Sequence, residues 1–317
     1  MAAGADSIDD MALLRHGAMG TLFDRPYAPS TLGSFLRKFT FGHVRQTDAI
    51  ASRFVRALAE HTGLLGHESD TGTVMVDIDD TIVEVYGHAK QGASFGYSGV
   101  RGLNALLATV STEQIAPVIA AQRLRKGSAG APRGAARLAT DTLALIRRTH
   151  LHGRDVLVRG DSAFYSHSMV TACLSAGAEV SVTVRMDPAV KRAIAIIDDD
   201  AWNTINYTDA IFDEHTNRWI SRAEVAEVDF TAFTSKPKND QVPGRLVVRR
   251  IPDLNPRAAS GQASLFDTWR FHAFFTTTSV EQFDTVAADK THRAHAIIEN
   301  VHADLKASAL GCVSQSA

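Results

Sequence analysis

The sequence has little cysteine, no long apolar run and almost no net charge. Its two cysteines, Cys173 and Cys312, lie far apart without metal-type spacing, which argues against a disulfide framework or a thiolate zinc site. No apolar run approaches the roughly 18 residues that span a bilayer, and the N-terminus lacks the layout of a signal peptide. We therefore expect a cytoplasmic protein without a membrane partner, in which any metal is held by oxygen or imidazole.

The net charge of −2 hides an uneven distribution of charge along the chain. DNA binding draws much of its affinity from Lys and Arg, so near-neutrality by itself argues mildly against a nucleic-acid partner. Between residues 123 and 159, however, nine basic residues stand against two acids. These nine are Arg123, Arg125, Lys126, Arg133, Arg137, Arg147, Arg148, Arg154 and Arg159. Such a basic block is typical of a solvated helix face or of a DNA-contacting surface.

The pattern of hydrophobic residues divides the 317 residues into three kinds of region. Residues 1–68 are predicted to be helical, as in a small DNA-contacting module or any amphipathic bundle. From Thr73 onwards short β-branched runs alternate with helical segments, which predicts an α/β sheet with helices packed on its faces. Residues 200–268 break this alternation with strand-like stretches and polar connections, and we interpret them as an inserted β-rich subdomain.

Individual strands and helices can be assigned from the same patterns. Strands are predicted at TVMVDID, IVEVYG, VIAAQRL, DVLVRGD, AEVSVTVR and WRFHAFFTTT. Helices are predicted at 133–150, where Leu138, Leu143 and Ile146 share one face, at SHSMVTACLSAG and after Ser279.

Acidic residues occupy three places suited to phosphodiester chemistry with two metal ions. Asp77 and Asp79 close the run TVMVDID and Asp80 follows it directly, Asp161 ends DVLVRGD, and Glu299 lies in a predicted helix. Two ions roughly 3.5–4 Å apart need carboxylates from separate rigid elements. Magnesium keeps its other positions for water and phosphate oxygens. Each acid alone has a structural explanation as a turn, cap or surface residue, so the combination carries the prediction.

Four stretches of sequence, in order, carry a resemblance over nearly the whole chain. They are APSTLGSFLRKFTFGHVRQ at 28–46, VDIDDTIVEVYGHAKQGASFGY at 76–97, VRGDSAFYS at 158–166 and HRAHAIIENVHADLK at 292–306. They resemble the DDE transposases of bacterial insertion sequences, in particular the family numbered thirteen-eighty, whose domain is called transposase DDE domain group 1. The resemblance implies an RNase H-like catalytic domain at 69–317, preceded by the DNA-contacting helical region at 1–68.

The same resemblance implies an activity, partners and cofactors. The chain is expected to bind the terminal inverted repeats of its element and target DNA, and to cleave and transfer strands. Two Mg²⁺ or Mn²⁺ ions are the implied cofactors, and a homodimer or higher oligomer on DNA is the implied assembly.

By position in these motifs, Asp79, Asp161 and Glu299 match the catalytic metal ligands of the family. Asp77 is kept as a further metal ligand and a reserve for the first acid, because residues two apart on a strand share a face.

A Tyr-Arg-Glu-Lys signature around the third acid is partly kept. Lys306, seven residues after Glu299, matches its lysine and is expected to contact DNA. The Arg and Tyr positions fall on His295 and His292, with Arg293 beside them. The full set of expected DNA contacts is Lys306, His295, His292, Arg293, Arg123, Arg125 and Lys126.

A phosphatase like the haloacid dehalogenases is an alternative from another class. Asp77-Ile78-Asp79-Asp80-Thr81 fits that fold's pattern of a nucleophilic Asp77 and an acidic Asp79 at a strand end, beside one magnesium.

Two further interpretations stay open. His292, His295, Glu299 and His302 are spaced to share one helix face, where imidazoles could bind zinc or iron. The chain could also be an inactive, DNA-binding remnant of a transposase, because the resemblance stops at Lys306 and only residues 307–317 follow. We expect this C-terminal truncation to reduce activity.

Overall fold

The computed structural model describes residues 8–85, 91–213, 218–252 and 269–308. Parts of the second motif and of the β-rich stretch, and the tail after Ser308, lie outside the described residues. The helices are α1 Pro29–Leu36, α2 Phe41–His61, α3 Ala135–Ile146, α4 His167–Ser175, α5 Pro188–Ala195, α6 Thr285–Arg293 and α7 Ile297–Ala307. The strands are β1 Val74–Glu84, β2 Ser94–Phe95, β3 Arg101–Ser111, β4 Val118–Lys126, β5 Val156–Gly160, β6 Glu179–Thr183, β7 Asn203–Asp213, β8 Arg218–Ala232, β9 Val242–Pro252 and β10 Trp269–Thr276. The α/β class predicted from sequence is confirmed.

The chain divides into two compact units. The first comprises Met1–Asp155 together with Ala296–Ala317, and the second comprises Val156–His295. Helices α1 and α2, within the region 1–68 predicted to be helical, belong to the same unit as the first strands, and the boundary at residue 68 stays a prediction.

The first unit contains an antiparallel sheet in which β3 pairs with β1, β2 and β4. Strand β1 was expected to end at its acids, but it continues to Glu84 because β3 pairs with it from Met75 opposite Ser111 to Glu84 opposite Gly102. Val74, Val76 and Ile78 of β1 are fully buried. The acids therefore lie in the middle of β1 rather than at the end of a strand.

Helices and ion pairs hold the other elements of this unit in place. Helix α3 buries Leu138, Leu143 and Ile146, as its spacing predicts. Its Asp141 accepts from Arg123 of β4 at 3.2 Å. Arg45 of α2 lies 3.7 Å from the same carboxylate, so helices α2 and α3 and strand β4 meet at one charge cluster.

The second unit begins with a β5–α4–β6 crossover, in which the two strands pair in parallel. Its strand order is β5-β6-β10-β9-β8-β7, and the pairs from β6 to β7 are antiparallel. The stretch that was predicted to be an inserted β-rich subdomain joins this sheet through the pairing of β9 with β10. Phe275 and Leu246, on those two strands, are fully buried.

The predicted C-terminal helix is interrupted. Helix α6 ends at Arg293, a short 3-10 turn spans Ala294–Ala296, and α7 begins at Ile297. The four residues His292, His295, Glu299 and His302 therefore do not lie on one continuous helix. None of the described helices is long and apolar enough to cross a membrane.

Candidate functional site

Three aspartates on β1 divide between the two faces of the first unit's sheet. Because side chains alternate along a strand, Asp77 and Asp79 share one face and Asp80 points to the other. Asp77 is fully buried opposite Thr109, whereas the side chain of Asp79 keeps 22% of its exposure. Asp79 is therefore the acid of this face that an outside ligand can reach more easily.

Asp80 is held in a buried polar network. Its Oδ2 accepts from Arg125 Nη2 at 2.9 Å, and Asn104 also donates to it. Arg125 further donates to Asn104 and to the carbonyls of residues 130, 131 and 133. The side chains of Asp80 and Arg125 are each only 7% exposed. This pair serves the fold of the first unit.

Helix α7 brings a buried histidine to the face of β1 that carries Asp79. Nε2 of His302 lies 3.3 Å from Oδ2 of Asp79, and the histidine is only 5% exposed. Neither ring nitrogen makes a hydrogen bond with good geometry. A buried polar group without a hydrogen bond costs free energy, and among the described residues the nearby carboxylate of Asp79 is what offsets this cost for His302.

Asp79 and His302 supply part of the ligand set that a divalent cation needs. No group of three or more His, Cys, Asp or Glu side chains within the described ranges is arranged to hold a metal. Asp79 and His302, whose ring nitrogens make no hydrogen bond within the described residues, nevertheless offer an oxygen and a nitrogen donor side by side. The remaining positions of an ion at such a pair would go to water or phosphate oxygens, as magnesium sites commonly arrange.

Asp161 follows β5 in a turn that is tightly braced within the second unit. Its Oδ1 accepts from the backbone of Ala163 at 2.9 Å, while the residue itself is exposed. Phe164 is buried, Tyr165 stacks on Phe233 at 5.0 Å, and Ser166 caps α4. The motif GDSAFYS therefore fixes the backbone that carries the second acid.

Glu299 and Lys306 are exposed on α7. Glu299 lies one turn before His302 on this helix, and helix residues three apart are neighbours. Lys306 lies in the last turn, two turns beyond Glu299. Both side chains are available to a ligand in solution.

His292 is engaged within the second unit. Its ring stacks on Phe274 at 4.1 Å, and its two nitrogens hydrogen-bond with Ser181 and Thr183 at 2.9 Å each. Burial, and then the positive charges of nearby groups with His295 first among them, lower the pKa of His292 to about 3. Both nitrogens are occupied, so we do not carry His292 into the DNA-contacting surface proposed below.

The depressed pKa of His292 makes the protein's stability depend on pH. Between the unfolded value near 6.5 and the folded value of about 3, the unfolded chain binds the extra proton, so stability falls as pH falls. We expect a loss of at most about 2 kcal/mol between pH 6.5 and pH 5. Urea unfolding at several pH values should show a flatter dependence in His292→Gln, and an unchanged slope in that variant would contradict the assignment.

The other expected DNA contacts differ in how available they are. Arg293 is paired with the buried Asp289 at 2.8 Å, and His295 is half-buried. Arg123 is paired with Asp141, and Arg125 is buried beside Asp80. Lys126, the last residue of β4, is exposed. Lys126 and Lys306 are thus the expected contacts that are most accessible to a phosphate backbone.

The roles of Asp80, Asn104 and His302 around β1 were missed by reasoning from sequence. For Arg125 the sequence did hold a signal. Side chains alternate along β4, so Arg123 and Arg125 lie on one face and the exposed Lys126 lies on the other, which separates Arg125 from the accessible lysine. No comparable signal in the sequence joins His302 to Asp79, since the pair depends on how α7 packs on β1.

Comparisons with known proteins agree with the resemblance seen in the motifs. The family described as transposase DDE domain group 1 matches residues 1–258. The match includes Asp77, Asp79 and Asp161, while Glu299 and Lys306 lie beyond it. A search of curated proteins finds no match.

One solved structure with a similar backbone is the piggyBac transposase in a synaptic complex with hairpin DNA. It is 11% identical and superposes with a TM-score of 0.40, over 94% of this chain and 57% of that chain. The chain thus spans little more than half the length of that protein. Because the family match extends over most of its residues, the chain belongs to the transposase DDE domain group 1 family.

Proposed function

We propose that this protein is a DNA transposase that cleaves and joins DNA strands with two divalent metal ions. The observation that carries the proposal is the partly accessible Asp79 in mid-strand, 3.3 Å from the buried His302, in a chain matched to a transposase family over residues 1–258. Magnesium or manganese, when bound, would activate the attacking oxygen and stabilise the leaving one. Asp79, Asp161 and Glu299 are the proposed ligands, with Asp77 as a further one, in an RNase H-like catalytic domain.

Each proposed ligand has a rigid support in its own unit. Asp79 lies on a strand that is hydrogen-bonded to β3 along its whole length. Asp161 lies in a turn fixed by Phe164 and by the stack of Tyr165 on Phe233. Glu299 lies near the start of α7. Rigid supports matter because a catalytic site must hold its groups within about 0.5 Å of their productive positions.

The proposed partners are the terminal inverted repeats of the element and its target DNA, bound by an oligomer of the chain. Lys306 would hold a phosphate near the scissile bond, and Lys126 would contact the DNA backbone elsewhere. Both are exposed lysines, and an ammonium on a flexible stem binds phosphate as a point charge.

The phosphatase alternative is not favoured by the geometry. Its nucleophile would be Asp77, which is fully buried and lies seven residues before the end of β1. A nucleophile must reach the phosphorus of its substrate, and the strand-end position on which the alternative depended does not exist here.

The test is incubation of the protein with the ends of its own element and either Mg²⁺ or Mn²⁺, with strand breaks read by sequencing. We expect breaks at the outer ends of the terminal repeats, and none when EDTA is present. A phosphate-releasing activity on small phosphate monoesters without any strand break would overturn the proposal. Binding of the repeats without cleavage in either metal would favour an inactive remnant.

The lysines give a prediction about binding. Removing Lys126 or Lys306 should lower the slope of log affinity against log salt by roughly 0.9 for each phosphate of duplex DNA that the protein no longer neutralises. Fluorescence anisotropy across a salt series measures this slope in Lys126→Ala and Lys306→Ala. Arg123→Ala is the matched control, since its guanidinium is already paired with Asp141. Equal slopes in the wild type and both lysine variants would exclude these residues as contacts.

A further inference from the structure

Among the described side chains of the first unit, His302 has two buried nitrogen atoms that make no hydrogen bond. Both of its ring nitrogens are buried and lack a hydrogen-bond partner, and the acid nearest to it is Asp79 at 3.3 Å. Some other histidines of the same unit have hydrogen-bond partners within the polypeptide. Nε2 of His150, for example, contacts the carbonyl of Leu65 at 3.1 Å. Within the described part of the chain, the two ring nitrogens of His302 therefore make no hydrogen bond, and Asp79 is the acid that contacts them.

The kind of partner follows from what an imidazole and a carboxylate bind together. A ring nitrogen that carries no proton is a common metal ligand in proteins. The neighbouring Asp79 keeps 22% of its side-chain exposure, so the pair remains open to solvent on the carboxylate side. An anionic partner is disfavoured, because the carboxylate of Asp79, 3.3 Å from the ring, would repel it.

We infer that His302 is a direct ligand of the divalent ion held by Asp79, and that it shifts the preference of this position from Mg²⁺ towards Mn²⁺ and later first-row ions. The inference rests on the proposed function in taking Asp79 as a metal-binding acid. Its chemical basis is that oxygen-only sites suit magnesium, whereas an added imidazole favours transition metals. Removing His302 would leave the carboxylate with water as its neighbour.

The experiment reads the ligand directly on the full-length protein, without DNA and without turnover. Mn²⁺ is added at substoichiometric concentration, and electron spin-echo envelope modulation detects the ¹⁴N nucleus of an imidazole bound to the ion. We expect ¹⁴N modulation in the wild type, and its loss in His302→Gln. His150→Gln is the matched control and should keep the modulation, because the ring of His150 contacts a carbonyl rather than an acid.

Affinity measurements separate this inference from the proposed function. Competition between Mg²⁺ and Mn²⁺ should show that His302→Gln binds Mn²⁺ at least about tenfold more weakly than the wild type. Loss of a residue that only hydrogen-bonds to a metal ligand already lowers metal affinity by about tenfold or more, and His302 is proposed to be a ligand itself. His302→Asp replaces the imidazole with a second carboxylate. This variant should bind Mg²⁺ more tightly than His302→Gln does, and it should lose the preference for Mn²⁺. Circular dichroism melting of each variant checks that the chain is folded.

Three results would count against the inference in different ways. Mn²⁺ bound to the wild type without ¹⁴N modulation, but lost in Asp79→Asn, would overturn the role of His302 and leave the metal site at Asp79 standing. Reduced affinity in His302→Gln with no modulation in the wild type would make His302 a residue that only positions Asp79, which also overturns it. Mn²⁺ binding that is unchanged in Asp79→Asn would instead contradict the proposed function itself.

Discussion

Replacing Asp79 with asparagine is expected to abolish metal-dependent strand cleavage while leaving DNA binding nearly intact. Asparagine keeps the shape of the side chain and its place on β1, but it removes the negative charge that is proposed to bind a cation. We expect a loss of at least roughly a hundredfold in cleavage rate, since removing even an outer partner of a metal ligand costs up to that much. The measurement is cleavage of a labelled terminal-repeat duplex in Mn²⁺ under single-turnover conditions.

Matched variants locate the effect on the proposed site. Asp161→Asn and Glu299→Gln should be equally damaging, whereas Glu84→Gln should cleave normally. Glu84 is an exposed acid at the end of the same strand as Asp79, so it controls for the loss of a negative charge. Substantial cleavage by Asp161→Asn would contradict the assignment of the second acid.

Asp77 decides between two versions of the same mechanism. If Asp77→Asn abolishes cleavage and Asp79→Asn does not, the first acid moves two residues along β1 and keeps the same face. Because Asp77 is fully buried, its variant should be tested for folding by urea unfolding before the rates are compared.

The parts of the fold that could be predicted from sequence are those set by local pattern. The apolar run before Asp161 is a buried strand, and the spacing of Leu138, Leu143 and Ile146 gives the buried face of α3. Ser166 begins a helix as an N-cap, for which serine is suited because its hydroxyl accepts from a free backbone N–H. In each case the signal and the structure lie within the same dozen residues.

The parts that could not be predicted depend on pairing between distant segments. Strand β3 has the sequence RGLNALLATVS, whose Ala and Leu favour a helix, and it becomes a strand by pairing with β1 and β4. The extension of β1 beyond Asp80 has the same cause. The contact of His302 with Asp79 joins residues more than two hundred positions apart, and neither residue type signals the other.

Arg125 is a residue of the candidate site whose role could not be predicted from sequence, because its partners lie in distant segments. In sequence it is one of nine basic residues in a block, and its charge favours a DNA contact. In the structure its guanidinium lies between Asp80, Asn104 and the carbonyls of the loop that leads to α3. Burial lowers the pKa of Arg125, and the charge of Asp80 partly restores it. Arg125 therefore stabilises the fold of the first unit through these buried hydrogen bonds.

The buried position of Arg125 predicts a large effect on stability. Arg125→Ala should lower the free energy of unfolding by about 3–5 kcal/mol, because it leaves the buried carboxylate of Asp80 without its counter-charge. Lys126→Ala, which removes an exposed charge from the next residue, should change it by less than about 0.5 kcal/mol. Urea unfolding followed by circular dichroism measures both values, with attention to a separate transition for each unit.

A double replacement tests the physical reason for that loss. Asp80→Leu combined with Arg125→Met removes both charges and keeps most of the buried volume, and apolar replacement of a whole buried ion pair is often close to neutral. The double variant should therefore be more stable than Arg125→Ala, although Asn104 and three loop carbonyls lose their donor. If Arg125 served mainly as a DNA contact, Arg125→Ala would unfold at the wild-type urea concentration and would lower the salt slope of DNA binding instead. The two outcomes are opposite in both measurements, so a single variant separates a residue that supports the site from one that touches its substrate.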